Sequence, residues 1–246
     1  GIEPFTSAPI YSLYGKTKKP SLDMLMGIDI LIFDMQDIGV RYYTYVSTLT
    51  LTMEAAAESG IPIMVLDRLN PLGSDISGPL LDVEFSSFVG MHPIPVRHGM
   101  TLGELAQMIN GEGWLSNGIM ADLTIIPFEG NINQKVREKA FNPPPSPNMS
   151  NLETAWLYQG LCLLEGTNLS EGRGTDLPFK LIGAPWLDNQ KLYDELVKTK
   201  HPLDEFKIAE FTPLSIPAVK YPKYEGEKCL GLRINNLENP IDWTIK

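Results

Sequence analysis

Two continuous apolar runs, residues 29–34 and 61–67, constrain the fold of this chain more than any other feature. Each run has the length of a β-strand, and strands without polar alternation are typical of a sheet covered on both faces. Between the runs, apolar residues recur at helical spacing up to Gly60, a residue type that commonly ends helices. A strand, a helix and a second strand in this order predict a parallel pair with a right-handed crossover.

Local signals predict further strands and helix starts along the chain. Residues 122–127 and 229–235 have strand patterns, and residues 20–27 a short helical one. Polar residues suited to helix N-caps precede four helical patterns: Ser21, Thr101, Ser150 and Asp188. Thr101 and Ser150 are each followed three residues later by Glu, which predicts a capping box.

The proline-rich run at residues 142–148 is the strongest break in the chain, so we expect a subdomain boundary there. The resulting architecture is α/β. Residues 1–145 are expected to form a parallel-sheet subdomain, and residues 146–246 a smaller mixed α+β subdomain.

Composition excludes several classes of function. Thirty acidic against 20 basic residues give a net charge of −10, which disfavours nucleic acid as a partner. No apolar run approaches the ~20 residues of a membrane span. Dinucleotide, phosphate-loop and Gly-x-Ser-x-Gly signatures are absent, and the three histidines lack zinc spacing. We therefore expect no cofactor and no metal, and we interpret Cys162 and Cys229 as buried free thiols.

A polar, glycine-rich loop at residues 165–175 is the clearest candidate for ligand binding. It contains two carboxylates, Glu165 and Glu171, together with Arg173. Glycosidic bond cleavage requires two carboxyl groups, one of which protonates the leaving oxygen. The alternative is structural, because both glutamates could pair with Arg173 to hold an irregular turn.

Polar clusters also follow the first two predicted strands, at the edge where open parallel sheets bind ligands. Asp34 and Asp37 share their loop with Arg41 and three tyrosines, Tyr43 among them. Aromatic rings beside carboxylates suit sugars, which alternate apolar C–H faces with hydroxyl rims. For Asp67, after the second strand, capping or bracing a turn is at least as reasonable as a functional role.

The histidines give weaker signals. His98 directly precedes a predicted helix start, and its position fits either a functional or a structural, hydrogen-bonded side chain. His92 and His201 are interpreted as surface or loop residues.

Six stretches, in this order and spacing, resemble the bacterial exo-β-N-acetylmuramidases, a family of glycoside hydrolases. They extend over nearly the whole chain: residues 10–15, 34–45, 66–71, 96–104, 145–149 and 165–175. The resemblance implies a Rossmann-like first subdomain and a site in a cleft between the two subdomains. It further implies release of N-acetylmuramic acid from the non-reducing end of peptidoglycan fragments, without metal or nucleotide.

Site residues follow from the resemblance position by position. The catalytic candidates that it implies are Glu171, Glu165 and Asp37. Substrate-binding candidates are Asp34, Arg41, Tyr43, His98, Asn148, Asn168 and Arg173. An arginine suits the lactyl carboxylate of the substrate because its fork pairs two oxygens at once, and both Arg41 and Arg173 qualify.

The resemblance also sets expectations about the ends of the chain and its location. Family members carry an upstream segment with the first strands of the sheet and the proposed catalytic acid. This chain is expected to lack that segment and a C-terminal end. A secreted or periplasmic, cell-envelope location is implied, with a peptidoglycan-derived glycan as the partner. The alternative function is a non-catalytic glycan-binding module of the same fold.

Overall fold

The computed structural model describes residues 1–129, 134–198, 206–216 and 219–235. The chain divides into two compact units, Gly1–Asn133 and Gln134–Lys246. The boundary predicted after residue 145 lies within the second unit and stays a prediction. In the described residues no helix combines the length and apolar character needed to span a bilayer.

The first unit is built around a parallel sheet. Its elements in chain order are α1 (Leu22–Leu25), β1 (Leu31–Phe33), α2 (Tyr45–Ser59), β2 (Ile63–Leu66), β3 (Ser77–Leu80), β4 (Pro95–Arg97), α3 (Leu102–Gly111) and β5 (Leu123–Ile126). β2 lies between β1 and β5 and pairs in parallel with both. β3 and β4 form a separate antiparallel pair. The predicted strand–helix–strand unit, its parallel pairing and the third strand are confirmed, and the fold is α/β with a Rossmann-like sheet.

One face of this sheet carries the core. α2 contributes Leu49 and Met53, α3 contributes Leu105 and Ile109, and β2 contributes Ile63, all fully buried in one cluster. Burying each such side chain stabilises the fold by about 1.5–3 kcal/mol relative to its exposed state. The two helices thus fix the sheet and the loops that leave the ends of its strands.

The expectation that the strands are covered on both faces is wrong. Along β1 and β2, buried and less buried residues alternate, and Ile32 is 61% exposed. The reason is that α2 and α3 pack into a single core with Phe33, Ile63 and Val65 on the same face. A continuous apolar run does not report which of its two faces is covered.

Helix ends follow their local signals closely. Gly60 ends α2 in the left-handed conformation, with its N–H bonded to the Ala56 and Ala57 carbonyls. Thr101 and Glu104 form the predicted capping box at the start of α3. Ser21 occupies the N-cap position of α1, but its side chain makes no capping hydrogen bond.

The second unit combines helices with an antiparallel sheet. Its elements are α4 (Gln134–Lys139), α5 (Leu152–Leu161), β6 (Leu181–Ala184), α6 (Asn189–Lys198), β7 (Phe206–Phe211) and β8 (Cys229–Ile234). β8 lies between β6 and β7 and is antiparallel to both. Leu157 of α5 packs with Phe206, Leu232 and Ile234 in the core.

Two predicted helix starts in this unit have different outcomes. Asp188 caps α6, because its side chain accepts a hydrogen bond from the Lys191 N–H. The capping box predicted at Ser150 is wrong by one residue. Asn151 caps α5 by accepting from the Thr154 N–H, and Glu153 instead pairs with Lys180. An asparagine competes well with serine for the N-cap position, so sequence did not separate the two.

Candidate functional site

Asp34 follows the end of β1 and is paired across the sheet edge. Arg68, which follows β2, donates from Nε to Asp34 Oδ1 at 2.6 Å. Both side chains are more than two-fifths exposed, so this ion pair is open to solvent and weakly stabilising. A polar ligand could replace Arg68 as the partner of Asp34.

Asp37 is a buried carboxylate of which only one oxygen accepts a hydrogen bond from the described residues. Its Oδ2 accepts a hydrogen bond from the Gly39 N–H at 2.7 Å. Its Oδ1 is buried and has no hydrogen-bond partner among the described residues. An orphaned buried oxygen is costly, so such atoms are rare and mark sites that bind or react.

His98 faces Asp37 from the segment that follows β4. The Met100 N–H donates to His98 Nδ1 at 3.2 Å, so in the neutral ring the proton resides on Nε2. Nε2 lies 3.5 Å from Asp37 Oδ2, without hydrogen-bond geometry, and makes no hydrogen bond within the described part of the chain. Asp37 and His98 therefore form a buried donor–acceptor pair that is incompletely satisfied.

Arg41 is held by the backbone of the first unit. Its NH1 donates to the Pro79 carbonyl at 2.8 Å and to the Ile94 carbonyl at 2.6 Å. Burial lowers the pKa of Arg41 below its usual value. A guanidinium committed to two main-chain carbonyls braces the loop, which weakens its candidacy for a substrate carboxylate.

Tyr43 is buried beside Tyr45, with ring centroids 4.7 Å apart and the rings tilted by 60°. Burial raises the pKa of Tyr45, although a hydrogen bond from Tyr43 acts in the opposite direction. The charge of Asp37 adds to this rise, which places Tyr45 near that carboxylate. Tyr43 and Tyr45 thus form an aromatic pair in the same loop as Asp37.

The structure also shows the contacts of Asp67 and His92, two further polar residues of the first unit. Asp67 accepts hydrogen bonds from the Thr101 hydroxyl at 2.7 Å and from the Gly103 N–H at 2.8 Å, so it braces the start of α3. His92, interpreted as a surface or loop residue, lies in the loop before β4 but is not on the surface. Its ring is buried, stacks on Trp114 at 5.1 Å and bonds Thr50 Oγ1 at 2.8 Å. His201 lies outside the described residues.

In the second unit, the glycine-rich loop is organised by Arg173. Its Nε donates to Glu171 Oε1 and its NH2 to Glu165 Oε2, each at 2.8 Å. Glu171 is 2% exposed. A second cation, Lys223, forms an ion pair with Glu171 Oε2 at 3.2 Å. The predicted pairing of both glutamates with Arg173 is therefore present.

Glycines let the backbone of this loop close on itself. Gly172 and Gly174 have φ angles of +78° and +81°, a region that other residues rarely adopt. A Cβ at Gly172 would lie 2.8 Å from the Leu177 carbonyl oxygen, and one at Gly174 2.6 Å from that of Leu214. Any side chain at either position would strain the loop that presents Glu171 and Arg173.

Burial sets the protonation of the loop's outer groups. It raises the pKa of Glu165, although Arg173 opposes the rise. It also raises the pKa of Cys162 to about 12, and the Cys162 Sγ donates to Glu165 Oε1 at 3.7 Å. Cys162 is therefore a protonated thiol near neutral pH. Both cysteines are free, as predicted, and Cys229 is buried. The predicted burial of Cys162 is wrong, because it is only half-buried at the end of α5.

The two predicted asparagines lie in turns of the second unit. Asn168 is exposed, and its carbonyl accepts a hydrogen bond from the Tyr224 hydroxyl at 2.6 Å. Asn148 is half-buried in the turn closed by the Met149 N–H bond to the Ser146 carbonyl. Both side chains remain predictions as substrate contacts.

Lys223 is the residue that sequence reasoning missed. Besides pairing with Glu171, its Nζ donates to the carbonyls of Leu164 and Leu169 at 2.8 and 2.9 Å. It is more than 50 residues from these partners, and a single lysine carries no local pattern. Only the tertiary structure shows that it completes the loop.

Two groupings therefore result, one in each unit. The structure brings Asp37 together with His98, and Glu165 and Glu171 together with Arg173. Within the described ranges, no three or more His, Cys, Asp or Glu side chains converge as ligands of a metal would.

Comparison with known proteins places these groupings in a family. Sequence models of the exo-β-N-acetylmuramidase NamZ match residues 1–153 as its N-terminal part and residues 156–243 as its C-terminal part. The chain belongs to this family. The two family models meet between residues 153 and 156, whereas the two compact units meet between residues 133 and 134.

A curated relative and two crystal structures are similar to the chain. The relative is the peptidoglycan β-N-acetylmuramidase NamZ of Bacillus subtilis strain 168, which is 46% identical over 95% of this chain. The structures are two DUF1343 family proteins of Bacteroides fragilis NCTC 9343. Their TM-scores are 0.80 and 0.76, with 40% and 33% identity over 98% and 95% of this chain.

This chain matches only part of each of these proteins. It spans 55% of the Bacillus subtilis relative, and 62% and 60% of the two Bacteroides fragilis proteins. The shared portion contains both groupings of candidate residues.

Proposed function

We propose that this chain is part of an exo-acting glycoside hydrolase that releases N-acetylmuramic acid from the non-reducing end of peptidoglycan fragments. One observation carries the proposal: the 46% identity, over 95% of this chain, to a protein named peptidoglycan β-N-acetylmuramidase. The two family models, which together span residues 1–153 and 156–243, support it.

Asp37 is the carboxylate best suited to a chemical step in this chain. Its buried, unpartnered Oδ1 can accept a proton or a hydrogen bond from a sugar hydroxyl or a water. His98 lies beside its other oxygen and can help to set the carboxylate's orientation. We propose that Asp37 acts directly on substrate and that His98 positions it.

Glu171 and Glu165 are proposed to support the substrate site through Arg173. Glycoside hydrolysis needs a carboxylate whose proton state can change. Glu171 instead has a cation near each of its two oxygens, Arg173 at one and Lys223 at the other. Its proposed catalytic role therefore acts through charge and placement, with proton donation by another group.

Arg173 is the stronger candidate for the lactyl carboxylate of N-acetylmuramic acid. Its side chain is 35% exposed, so part of the guanidinium reaches solvent. Arg41 is almost fully buried and donates to two backbone carbonyls. We propose Arg173 as the carboxylate-binding residue and Arg41 as a brace for the loop that carries Asp37.

A non-catalytic glycan-binding module is the second candidate function. The paired state of Glu165 and Glu171 favours it, because ion-paired carboxylates are suited to hold a binding loop. A binding module needs the aromatic and arginine groups but no residue that transfers a proton.

Hydrolysis of a synthetic substrate separates the two candidates. We expect the full-length protein to release chromophore from 4-nitrophenyl β-N-acetylmuramide, and none from the matched N-acetylglucosaminide, which lacks the lactyl group. Release of free N-acetylmuramic acid from peptidoglycan fragments would support exo cleavage. Binding of the muramide without release would contradict the enzyme and leave the binding module.

The proposed substrate is a component of the bacterial cell wall. We therefore propose a secreted or periplasmic, cell-envelope location. Fractionation of the source cells, with the protein detected by antibody, tests this. Recovery of the protein only with cytosolic markers would contradict the location without bearing on the reaction.

A further inference from the structure

Trp186 lies exposed beside the glycine-rich loop of the second unit. It follows β6 in a tight turn, in which the Leu187 N–H bonds the Ala184 carbonyl. The whole residue is 57% exposed. β6 is joined to the loop because Gly183 and Ser170 exchange two backbone hydrogen bonds. The indole is thus mounted on the same framework that presents Glu171.

A chain of hydrogen bonds fixes the direction of the indole. Trp186 Nε1 donates to the Tyr224 hydroxyl at 3.1 Å, and that hydroxyl donates to the Asn168 carbonyl at 2.6 Å. The neighbouring Lys223 anchors the same segment to Glu171. Burial does not account for this order, because most of the ring remains in contact with solvent.

The backbone at Tyr224 is in the left-handed region, with a φ of +57°. An aromatic residue is unfavourable there, where glycine or asparagine would be usual. Tyr221 in the same segment has a similar φ of +56°, and the two positions differ in that the Tyr224 hydroxyl joins Trp186 to Asn168. Keeping a tyrosine at this position preserves the hydroxyl that joins Trp186 to Asn168. This observation is independent of the exposure of the indole.

We propose that Trp186, held by Tyr224, is a sugar-stacking subsite for a second ring of the glycan substrate. An indole face suits the apolar C–H face of a pyranose, and polar groups at its edge suit the hydroxyls. The proposal rests on the proposed function: for an exo-acting enzyme, the second ring is the sugar that follows the terminal N-acetylmuramic acid. Trp186 would then select for glycan chains over single sugars.

The test compares two substrates, of which only one has a second ring, and reads the change in their ratio between variant and wild type. One is the disaccharide of N-acetylmuramic acid and N-acetylglucosamine, and the other is N-acetylmuramyl β-fluoride, whose leaving group carries no ring. We expect Trp186→Ala to lower the ratio of their kcat/KM values, disaccharide over fluoride, about tenfold. Trp186→Phe should recover part of the ratio, and Tyr224→Phe should lower it less than Trp186→Ala does.

Tyr221→Ala is the matched control. Tyr221 is 85% exposed in the same segment, and its side chain is not part of the hydrogen-bond chain. The control should leave the ratio unchanged. An unchanged ratio in Trp186→Ala would overturn the proposal, as would an equal fall in Tyr221→Ala.

Fluorescence distinguishes failure of the subsite from failure of the reaction. The chain has four tryptophans, and titration with the disaccharide should change the emission of the wild type but not of Trp186→Phe. If the emission changes in this way but neither substrate is hydrolysed, the sugar-stacking subsite is supported and the proposed enzymatic activity is rejected. Equal disaccharide affinity of wild type and Trp186→Ala would overturn the subsite and favour a protein partner for the indole.

Discussion

The two units bury a carboxylate in opposite ways. Asp37 in the first unit has one oxygen bonded to a backbone N–H, His98 nearby and one oxygen without a hydrogen-bond partner among the described residues. Glu171 in the second unit is equally buried but faces Arg173 and Lys223. A buried charge with two counter-charges is stabilised in place, whereas an incompletely paired one retains the capacity to bind or exchange a proton. Burial alone therefore does not identify a reactive group.

The strongest way to break this comparison is Asp37→Asn. Asparagine can still accept from the Gly39 N–H, but it cannot take a proton or carry charge. If Asp37 acts directly on substrate, kcat for aryl N-acetylmuramide should fall by about 10²-fold or more. Steady-state kinetics of the full-length protein, with melting temperature as a check on folding, measure this.

Asp67→Asn is the control for that variant. Asp67 is also an aspartate after a strand of the same sheet, but its oxygens cap α3 through Thr101 and Gly103. We expect it to lower the melting temperature while kcat stays within a few fold. Retained turnover in Asp37→Asn would place the reactive carboxylate elsewhere.

Glu171→Gln tests the other half of the comparison. The substitution leaves Arg173 and Lys223 without their shared counter-charge, so we expect the free energy of unfolding to fall by about 3 kcal/mol. Denaturant titration measures this loss, and kcat should fall less than in Asp37→Asn. A large loss of kcat with unaltered stability would reverse the assigned roles. Unchanged turnover would remove Glu171 from the site.

The pH dependence of stability tests the contribution of a third buried group in the first unit, His92. Burial lowers the pKa of His92 to about 4 from an ordinary value of 6.5. Because the unfolded chain binds the proton first, His92 contributes stability above pH 6.5 that is lost as the pH falls towards 4, about 3 kcal/mol in all. His92→Gln should flatten the melting temperature between these pH values. An equal slope in wild type and variant would show that another group is responsible.

Glu165→Gln should have the smallest effect. The Glu165 side chain is about one-third exposed, so its ion pair with Arg173 is worth below about 1 kcal/mol. Its pKa is raised in the folded state, so the stability that it contributes is present at low pH and is lost as the pH rises through that value. In denaturant titrations, the free energy of unfolding of the variant relative to that of the wild type should therefore be higher at pH 7 than at pH 4. A higher relative stability of the variant at pH 4 than at pH 7 would contradict the raised pKa.

Sequence predicted much of the fold from local signals, although the capping box predicted at Ser150 is one residue early. The helix end at Gly60 and the capping box at Thr101 follow from patterns within a few residues of each site. The parallel pairing of β1 with β2 follows from the order strand, helix, strand along the chain. The exposure of Ile32 did not follow, because it depends on where α2 and α3 pack.

The site was predictable in its parts but not in its electrostatics. Glu171 and Arg173 are two residues apart, so their pairing could be anticipated as an alternative. The contact of Lys223 with Leu169 joins residues 54 apart, and that of His92 with Thr50 joins residues 42 apart. Neither contact leaves a trace in local sequence, yet each decides how a titratable group is paired.

The hydrogen bonds from Lys223 and Tyr224 to the glycine-rich loop and the residue before it set the order in which this region assembles. These two residues hold the carbonyls of Leu164, Asn168 and Leu169 from 54 to 59 positions downstream. Because a ribosome makes the chain from its N-terminus, the loop leaves the exit tunnel well before its anchors do. The first unit can form its core during synthesis, whereas the arrangement around Glu171 must wait for Lys223 and Tyr224. Completion of the glycine-rich loop therefore depends on synthesis of residues 223 and 224, more than 50 positions after the loop begins.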